Sequence, residues 1–169
     1  MTITIRPAGP ADRPFIREMF TAAANWDPRL PPVAFDKAIE DEHMLRYVID
    51  WGRPGDVCFI AEDGGVPVGA TWRRSYAASS PGYGFIAEDI PEVSIGVRSE
   101  WRGRGIGGAL LSALADQARG AGLPTLCLSV EPGNPAIRLY LRQGYRMVRS
   151  SDEDHVLRLD LGAPSGATT

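Results

Sequence analysis

The stretch 92–111 constrains the fold most, because a strand pattern passes through a glycine-rich turn directly into a helix pattern. Residues 92–97 read EVSIGV, an apolar run of strand length, and apolar residues recur at helical spacing from Ile106 onward. A second apolar strand pattern, TLCLSV, follows at residues 125–130. A helical crossover of this length joins parallel strands with a right-handed connection. The sequence therefore predicts a parallel strand pair bridged by one helix.

The rest of the chain adds antiparallel strands and further helices to this unit. TITIR alternates like a strand, a helix pattern begins at Pro10, and two strand patterns flank the turn 63–65. Partial helical spacing over 35–51 predicts a second long helix, and strands close the chain at YRMVR and HVLRLDL. We predict an α/β fold with a mixed, mostly antiparallel twisted sheet of six to seven strands and helices on both faces. Residues 1–161 are expected to form one domain and residues 162–169 a disordered tail.

Composition and charge narrow the classes of function. The 169 residues (18.3 kDa) suit about one domain. The net charge of -3 and the pI near 5.4 argue against a nucleic-acid-binding surface, which usually carries a basic excess. No apolar run approaches the roughly 18 residues of a membrane span, and the opening MTITIRPAG lacks the layout of a signal peptide. We therefore expect a cytoplasmic protein without nucleic-acid or membrane partners.

The cysteines and histidines form no recognisable metal-ligand pattern. Cys58 and Cys127 each lie inside an apolar run, which favours a buried reduced thiol over a disulfide or a metal ligand. His43 and His155 do not complete a zinc site with them at any recognisable spacing. No metal is therefore predicted, and neither thiol has the basic sequence neighbour of an activated nucleophile.

The turn after residues 92–97 concentrates the features of an anion-binding site. Glycines at 103, 105, 107 and 108 let the backbone bend so that several N–H groups converge beside the positive end of a helix dipole, and Arg102 and Arg104 add full charges. The run RGRGIGG does not satisfy GxxxxGK[ST], and it lies late in the chain, unlike the glycine-rich turn of a dinucleotide-binding unit. The structural alternative is that the glycines permit tight packing while the arginines face water.

Two motifs resemble the GNAT superfamily of N-acetyltransferases. Arg102, Gly105 and Gly107 fit its RxxGxG signature, whose loop binds the pyrophosphate of acetyl-CoA in that family. The stretch NPAIRLYLRQGY, residues 134–145, looks like its second motif, and the two motifs occur in the family's order. The resemblance is sharp over 92–145 and only architectural before that. It implies a GNAT-like sheet with a splayed parallel central strand pair, and acetyl-CoA as cosubstrate.

Carried onto this sequence, the resemblance implies a set of cofactor-binding residues. The strand would pair with the extended pantetheine arm by strand addition, at Ile95, Gly96 and Val97. The turn and the first helical turn would hold the pyrophosphate, through Arg102, Gly103, Arg104, Gly105, Ile106, Gly107 and Gly108. Asn134 of the second motif would also contact the cofactor. It precedes Tyr140 by six residues, where the family more commonly has seven, and it suits a helix N-cap as well.

Acetyl transfer from a thioester to an amine needs a base for the amine and an acid for the departing thiolate. The resemblance places Tyr140 beside the sulfur, where a phenol of pKa about 10 can protonate a thiolate whose conjugate acid has a pKa near 8.5. The alternative is a core aromatic on a short amphipathic helix. Glu92 is the predicted base, acting through water, because related enzymes often hold a carboxylate there. Glu131 and Ser129, at the end of the next strand, are its rivals, and the oxyanion would meet a backbone N–H near Ile95.

The acceptor is expected against the first two helices, the hairpin and the loop 77–91. Five aromatic residues could wall its cleft: Trp26, Trp72, Tyr76, Tyr83 and Phe85. A cationic acceptor would be favoured by Glu88, Asp89 and Glu92. We predict an N-acetyltransferase acting on a primary amine of a small molecule or peptide, by direct attack in a ternary complex. A non-catalytic acyl-CoA-sensing module, transfer of a longer acyl group and a homodimer stay open.

Overall fold

The computed structural model describes residues 2–162, which form one seven-stranded sheet and five α-helices. The strands are β1 (Ile3–Pro7), β2 (Val57–Asp63), β3 (Val66–Arg74), β4 (Glu92–Val97), β5 (Thr125–Val130), β6 (Arg146–Ser150) and β7 (His155–Asp160). The helices are α1 (Arg13–Ala24), α2 (Phe35–Ala38), α3 (Glu42–Leu45), α4 (Ile106–Gly120) and α5 (Ala136–Arg142). The strand order is β1-β2-β3-β4-β5-β7-β6, and β4 and β5 form the parallel pair in this otherwise antiparallel sheet. The predicted mixed α/β architecture is confirmed.

The parallel pair at the centre of the sheet is joined at one end only. Glu92 opposes Cys127, and the Cys127 N–H donates to the Pro91 carbonyl at 3.0 Å. Within residues 2–162 no further pairing joins β4 to β5, so the two strands diverge towards their carboxyl ends. We call the space between them the central gap. It is the splay that the sequence resemblance implied.

Helices cover both faces of the sheet. Consecutive residues of β2 separate these faces, because Ile60 packs in the cluster with α1 whereas Phe59 packs against the clusters with α4. Gly96 allows α1 to approach β4 closely, since a Cβ there would collide with the carbonyl oxygen of Met19. This close approach places the end of α1 beside the open end of the central gap.

The helix predicted over residues 35–51 is wrong in its extent. It is split into α2 and α3, because Asp41 is extended (φ -79°, ψ 119°) and its side chain accepts the N–H of His43, which starts a new helix. The loop between β3 and β4 contains no helix or strand, as predicted. Of the predicted tail, residues 163–169 lie outside the described residues. None of the described helices is long and apolar enough to cross a membrane.

Candidate active site

β4 directs alternate backbone groups into the central gap. The register opposes Val97 to Gly69, and the Arg98 N–H donates to the Val68 carbonyl at 3.0 Å. In an antiparallel ladder this pattern turns the N–H and C=O groups of Val97 and Ile95 away from β3. Among the described strands, β5 does not pair with them, so both N–H groups and the Ile95 carbonyl are available to an extended ligand chain, whereas the Val97 carbonyl already accepts Arg102 Nε.

Gly96 differs from its neighbours on β4. The same alternation turns its backbone groups towards Ala70 of β3, so they do not face the central gap. Its missing side chain serves the approach of Met19 instead. The structure therefore gives the predicted cofactor residue Gly96 a packing role.

The turn after β4 places an uncapped helix N-terminus at the open end of the central gap. Gly103 and Gly105 have left-handed φ angles of 73° and 81°, and a Cβ on either would meet nothing within 4 Å. The left-handed backbone conformation, rather than a lack of space for a side chain, therefore requires glycine at both positions. α4 begins at Ile106 without a side-chain cap, and its ladder starts with the bond from the Ala109 N–H to the Gly105 carbonyl. The N–H groups before Ala109 have no partner within the helix, which leaves donors for a phosphate group.

The other two glycines of the motif let α5 lie against the start of α4. A Cβ on Gly107 would lie 2.8 Å from Leu139 Cδ2, and one on Gly108 would lie 3.3 Å from Gln143 Nε2. Gly107 and Gly108 thus permit tight packing between the two helices, which is the alternative role that the sequence left open for these glycines. Their N–H groups still point along the start of α4, so packing does not compete with the predicted phosphate contact.

The arginines of the turn make contacts within the chain. Arg102 Nε donates to the Val97 carbonyl at 3.0 Å and its Nη2 to the Ala22 carbonyl at 3.3 Å, so this side chain ties the end of α1 to the end of β4. The Arg104 guanidinium lies over the Trp101 ring, 4.8 Å from its centroid. Both arginines are exposed and add positive charge beside the start of α4.

Glu92 lies at the closed end of the central gap and is 3% exposed. Its Oε1 accepts the Tyr47 hydroxyl at 2.6 Å and the Gly84 N–H at 3.0 Å, whereas Oε2 is buried and has no hydrogen-bond partner among the described residues. Burial raises the pKa of Glu92 to about 7, although the bonds from Tyr47 and Gly84 act in the opposite direction. A carboxylate with a near-neutral pKa and a bare oxygen is suited to take up a proton.

The two rivals of Glu92 have other surroundings. Glu131 is exposed, and its Oε2 accepts the Trp26 indole N–H at 2.8 Å, which links the segment after α1 to the end of β5. Ser129 lies near Glu92 and acts to lower the pKa of that carboxyl, but it completes no hydrogen bond to either carboxylate oxygen. Its burial and its Oε2 without a hydrogen-bond partner therefore distinguish Glu92 from both rivals as the candidate base.

Tyr140 lies on the face of the sheet opposite to Glu92. It is 8% exposed and belongs to the cluster that contains Val93 of β4 and Leu128 of β5, on the side of α4. Burial raises the pKa of Tyr140 to about 12, so the phenol stays protonated at neutral pH. The structure thus brings a neutral proton donor to the strand pair that forms the central gap.

The start of the second motif is a helix cap. Asn134 Oδ1 accepts the N–H of Ala136 at 2.9 Å, where α5 begins. This is the capping role expected for Asn134. Its contact with the cofactor stays a prediction.

Two of the aromatic residues expected to wall the acceptor cleft lie in the core instead. Trp72 is 1% exposed and Tyr76 is 8% exposed, because both pack in the cluster under α1. The other three are partly exposed and lie closer to the surface: Trp26, Tyr83 and Phe85.

The acidic residues of the same loop also differ from each other. Glu88 and Asp89 are exposed, and Glu88 accepts the N–H of Ala78 at 2.7 Å, so it stabilises the loop. Glu92 is the buried member of the predicted set.

An open cleft of about 560 Å³ lies between α1 and the turn after β4. Trp26 and Met19 line it on one side, and Arg98 and Arg102 on the other. An ion pair between Arg98 and Glu18 at 2.6 Å joins the two sides. The volume lies within the usual range for small-ligand sites.

The comparisons with known proteins agree with this geometry. Residues 18–145 match the acetyltransferase (GNAT) family. The L-methionine sulfoximine/L-methionine sulfone acetyltransferase of Pseudomonas aeruginosa is 32% identical over 153 residues, which cover 87% of this chain and 82% of that protein. The fold and the site are those of an acetyltransferase domain, and the chain belongs to the GNAT family.

Other relatives match over a shorter stretch. The mycothiol acetyltransferase of Nocardiopsis dassonvillei is 39% identical over 111 residues, which cover 63% of this chain and 32% of that protein. The chain spans about a quarter to a third of the length of the mycothiol acetyltransferases it matches.

The fold has close counterparts among solved structures. The phosphinothricin acetyltransferase of Sinorhizobium meliloti, solved in complex with acetyl-CoA, superposes with a TM-score of 0.69 at 24% identity, covering 100% of this chain and 93% of that one. This likeness shows the fold. The predicted family and GNAT-like fold are confirmed, and the roles of the individual residues stay predictions.

Proposed function

We propose that this chain is an N-acetyltransferase that moves the acetyl group of acetyl-CoA to a primary amine of a small molecule. The observation that carries the proposal is the central gap, because Ile95 and Val97 turn their backbone groups into it and it opens at the uncapped start of α4. Amide groups along a strand suit an extended pantetheine arm, and free N–H groups suit a pyrophosphate. Family membership supports the same cosubstrate.

The two proton transfers are assigned to residues on opposite faces of the sheet. As the N–C bond forms, the amine loses a proton through water to Glu92, and as the C–S bond breaks, Tyr140 protonates the departing thiolate. Solvent then takes the proton from Glu92 and returns one to Tyr140. A backbone N–H near Ile95 meets the oxyanion of the intermediate. This arrangement keeps the base beside the nucleophile and the acid beside the leaving group.

Direct attack, without an acyl-enzyme, is the mechanism we propose. Both cysteines are buried and reduced. Burial raises the pKa of Cys58 to about 12 and that of Cys127 still further above its usual range, so neither forms a thiolate near neutral pH. A covalent route through either sulfur would therefore lack its nucleophile.

A small amine of the α-amino-acid type is the acceptor class we propose. The relative that matches over most of its length is named for L-methionine sulfoximine and L-methionine sulfone, which are such amines. The hydrogen bond between Trp26 and Glu131 links the segment after α1 to the end of β5. The cleft of about 560 Å³ that Trp26 lines has the volume of a small-ligand site, which supports a small molecule as the acceptor.

A thiol-release assay with acetyl-CoA tests the proposal, with mass spectrometry to detect the acetylated product. The acceptor panel contains methionine sulfone, other amino acids, polyamines, aminoglycosides and short peptides. We expect release with at least one small amine and its loss in Glu92→Gln. Coenzyme A binding without release for any acceptor would favour a sensor module, and faster release from longer acyl-CoA esters would overturn the acetyl specificity.

A further inference from the structure

Tyr47 is bonded to the proposed base, and the direction of that bond is fixed by proton counting. The Tyr47 oxygen accepts the Tyr83 N–H at 2.7 Å and lies 2.6 Å from Glu92 Oε1. A phenol has one proton, and the carboxylate oxygen has none to give when ionised, so the Tyr47 hydroxyl donates to Oε1. The Gly84 N–H donates to the same oxygen at 3.0 Å.

The two carboxylate oxygens of Glu92 are therefore unequal. Oε1 accepts two hydrogen bonds, whereas Oε2 is buried and has no partner among the described residues. Two glycines bring the loop backbone this close. A Cβ on Gly82 would collide with Oε2, and one on Gly84 would lie 2.7 Å from the backbone of Leu128 and 3.0 Å from Glu92 Cδ. A proton added to Glu92 then goes to Oε2, because Oε1 is already occupied by two donors.

We infer that Tyr47 is a positioning residue of this enzyme: it holds Oε1 of Glu92 so that the proton from the acceptor amine is taken up at Oε2. The inference rests on the proposed function, because it concerns the base named there. Tyr47 itself touches no reacting atom. It acts through the orientation and the acidity of the Glu92 carboxyl.

Burial is the main cause of the raised pKa of Glu92, and the hydrogen bond from Tyr47 is the largest of the contributions that lower it. Burial raises the pKa of Tyr47 and Tyr76 well above the usual range, and that of Cys127 also rises, so all three stay neutral over the working pH range. Asp154, from the turn between β6 and β7, is the nearby charge, and it raises the pKa of Glu92. Ser129 of β5 acts in the same direction as Tyr47 on the pKa of Glu92, but to a smaller extent.

Tyr47→Phe tests the inference, because it removes the hydroxyl and keeps the ring. Losing one hydrogen bond to a charged group corresponds to a rise of about one unit in the pKa of Glu92. At pH 7 the deprotonated fraction, and with it kcat/KM, should fall about five-fold, and the loss should disappear above about pH 9.5. Tyr76→Phe is the matched control, because its ring centroid lies 5.3 Å from that of Tyr47 and its hydroxyl makes no bond to Glu92.

Titration of ¹³C-labelled glutamate carboxyls by NMR gives a readout independent of turnover, with the Glu92 signal identified by its loss in Glu92→Gln. We expect a raised Glu92 pKa in Tyr47→Phe and an unchanged one in Tyr76→Phe. Equal pKa values in Tyr47→Phe and the parent protein would overturn the inference even if Glu92 is the base. Full activity of Glu92→Gln would instead overturn the proposed mechanism. If Tyr47→Phe does not fold, 3-fluorotyrosine is placed at position 47 instead. Its hydroxyl is a stronger hydrogen-bond donor, so the pKa of Glu92 must fall. An unchanged Glu92 pKa would refute the inference.

Discussion

Glu92→Gln is predicted to stabilise the protein at pH 8 and to leave its stability nearly unchanged at pH 5. Burial raises the pKa of Glu92 from 4.5 to about 7, so the folded protein keeps a proton that the unfolded chain has already released. The free energy of unfolding therefore falls as the pH rises from about 4.5 to about 7. At 1.36 kcal/mol per pKa unit, the ionised side chain costs the folded state about 3 kcal/mol at pH 8. Gln keeps the shape and the acceptor for Tyr47 and Gly84, but it cannot ionise.

Urea denaturation of both proteins at pH 5 and pH 8 measures this effect. The gain in unfolding free energy from Glu92→Gln should be larger at pH 8 than at pH 5 by about 2.5 kcal/mol. Glu131→Gln, which replaces an exposed carboxyl, is the control and should show little difference between the two pH values. A gain of the same size at both pH values would refute the reasoning, because it would mean that Glu92 ionises as readily in the folded as in the unfolded state.

Three other perturbations test separate parts of the account. Tyr140→Phe should lower kcat by about 10² or more while the acetyl-CoA dissociation constant, measured by calorimetry, stays the same; an unchanged kcat removes Tyr140 from the mechanism. Gly96→Ala should lower the unfolding free energy by about 3 kcal/mol, because the new Cβ would collide with the Met19 backbone. The control Gly120→Ala should leave the unfolding free energy unchanged, because a Cβ there meets no neighbour within 4 Å. Similar urea midpoints for the two variants would contradict this prediction. The parent protein should lose kcat/KM as the pH falls through about 7, because Glu92 becomes protonated, and a profile that stays flat to pH 5 would exclude it as base.

Local patterns in the sequence were enough to predict the elements around the central gap. The apolar runs of β4 and β5 and the glycines at 103 and 105 are signals that depend on the backbone and on near neighbours. The same is true of the Asn134 cap. The GNAT resemblance then supplied the meaning of these elements, because both of its motifs lie within this stretch.

The surroundings of Glu92 could not be predicted in the same way. Tyr47 lies 45 residues before Glu92 in the chain, and no periodicity connects a side chain after α3 with the start of β4. The role of Gly84 depends on a loop without regular structure that packs against the backbone of β5. The sequence also favours Trp72 and Tyr76 as walls of the acceptor cleft, but β3 directs Trp72, and the segment after β3 directs Tyr76, into the core under α1. A sequence shows which residues are polar or aromatic, whereas the packing of distant segments decides which of them meet.

Hydrogen exchange of the β4 amides, followed by NMR, tests most directly whether the central gap holds acetyl-CoA. The Arg98 amide is bonded to β3 and should exchange slowly with or without acetyl-CoA. The Ile95 and Val97 amides face the central gap, and we expect them to exchange quickly in the free protein and to become protected when acetyl-CoA binds. Binding of acetyl-CoA that leaves the exchange of both amides unchanged would contradict the account.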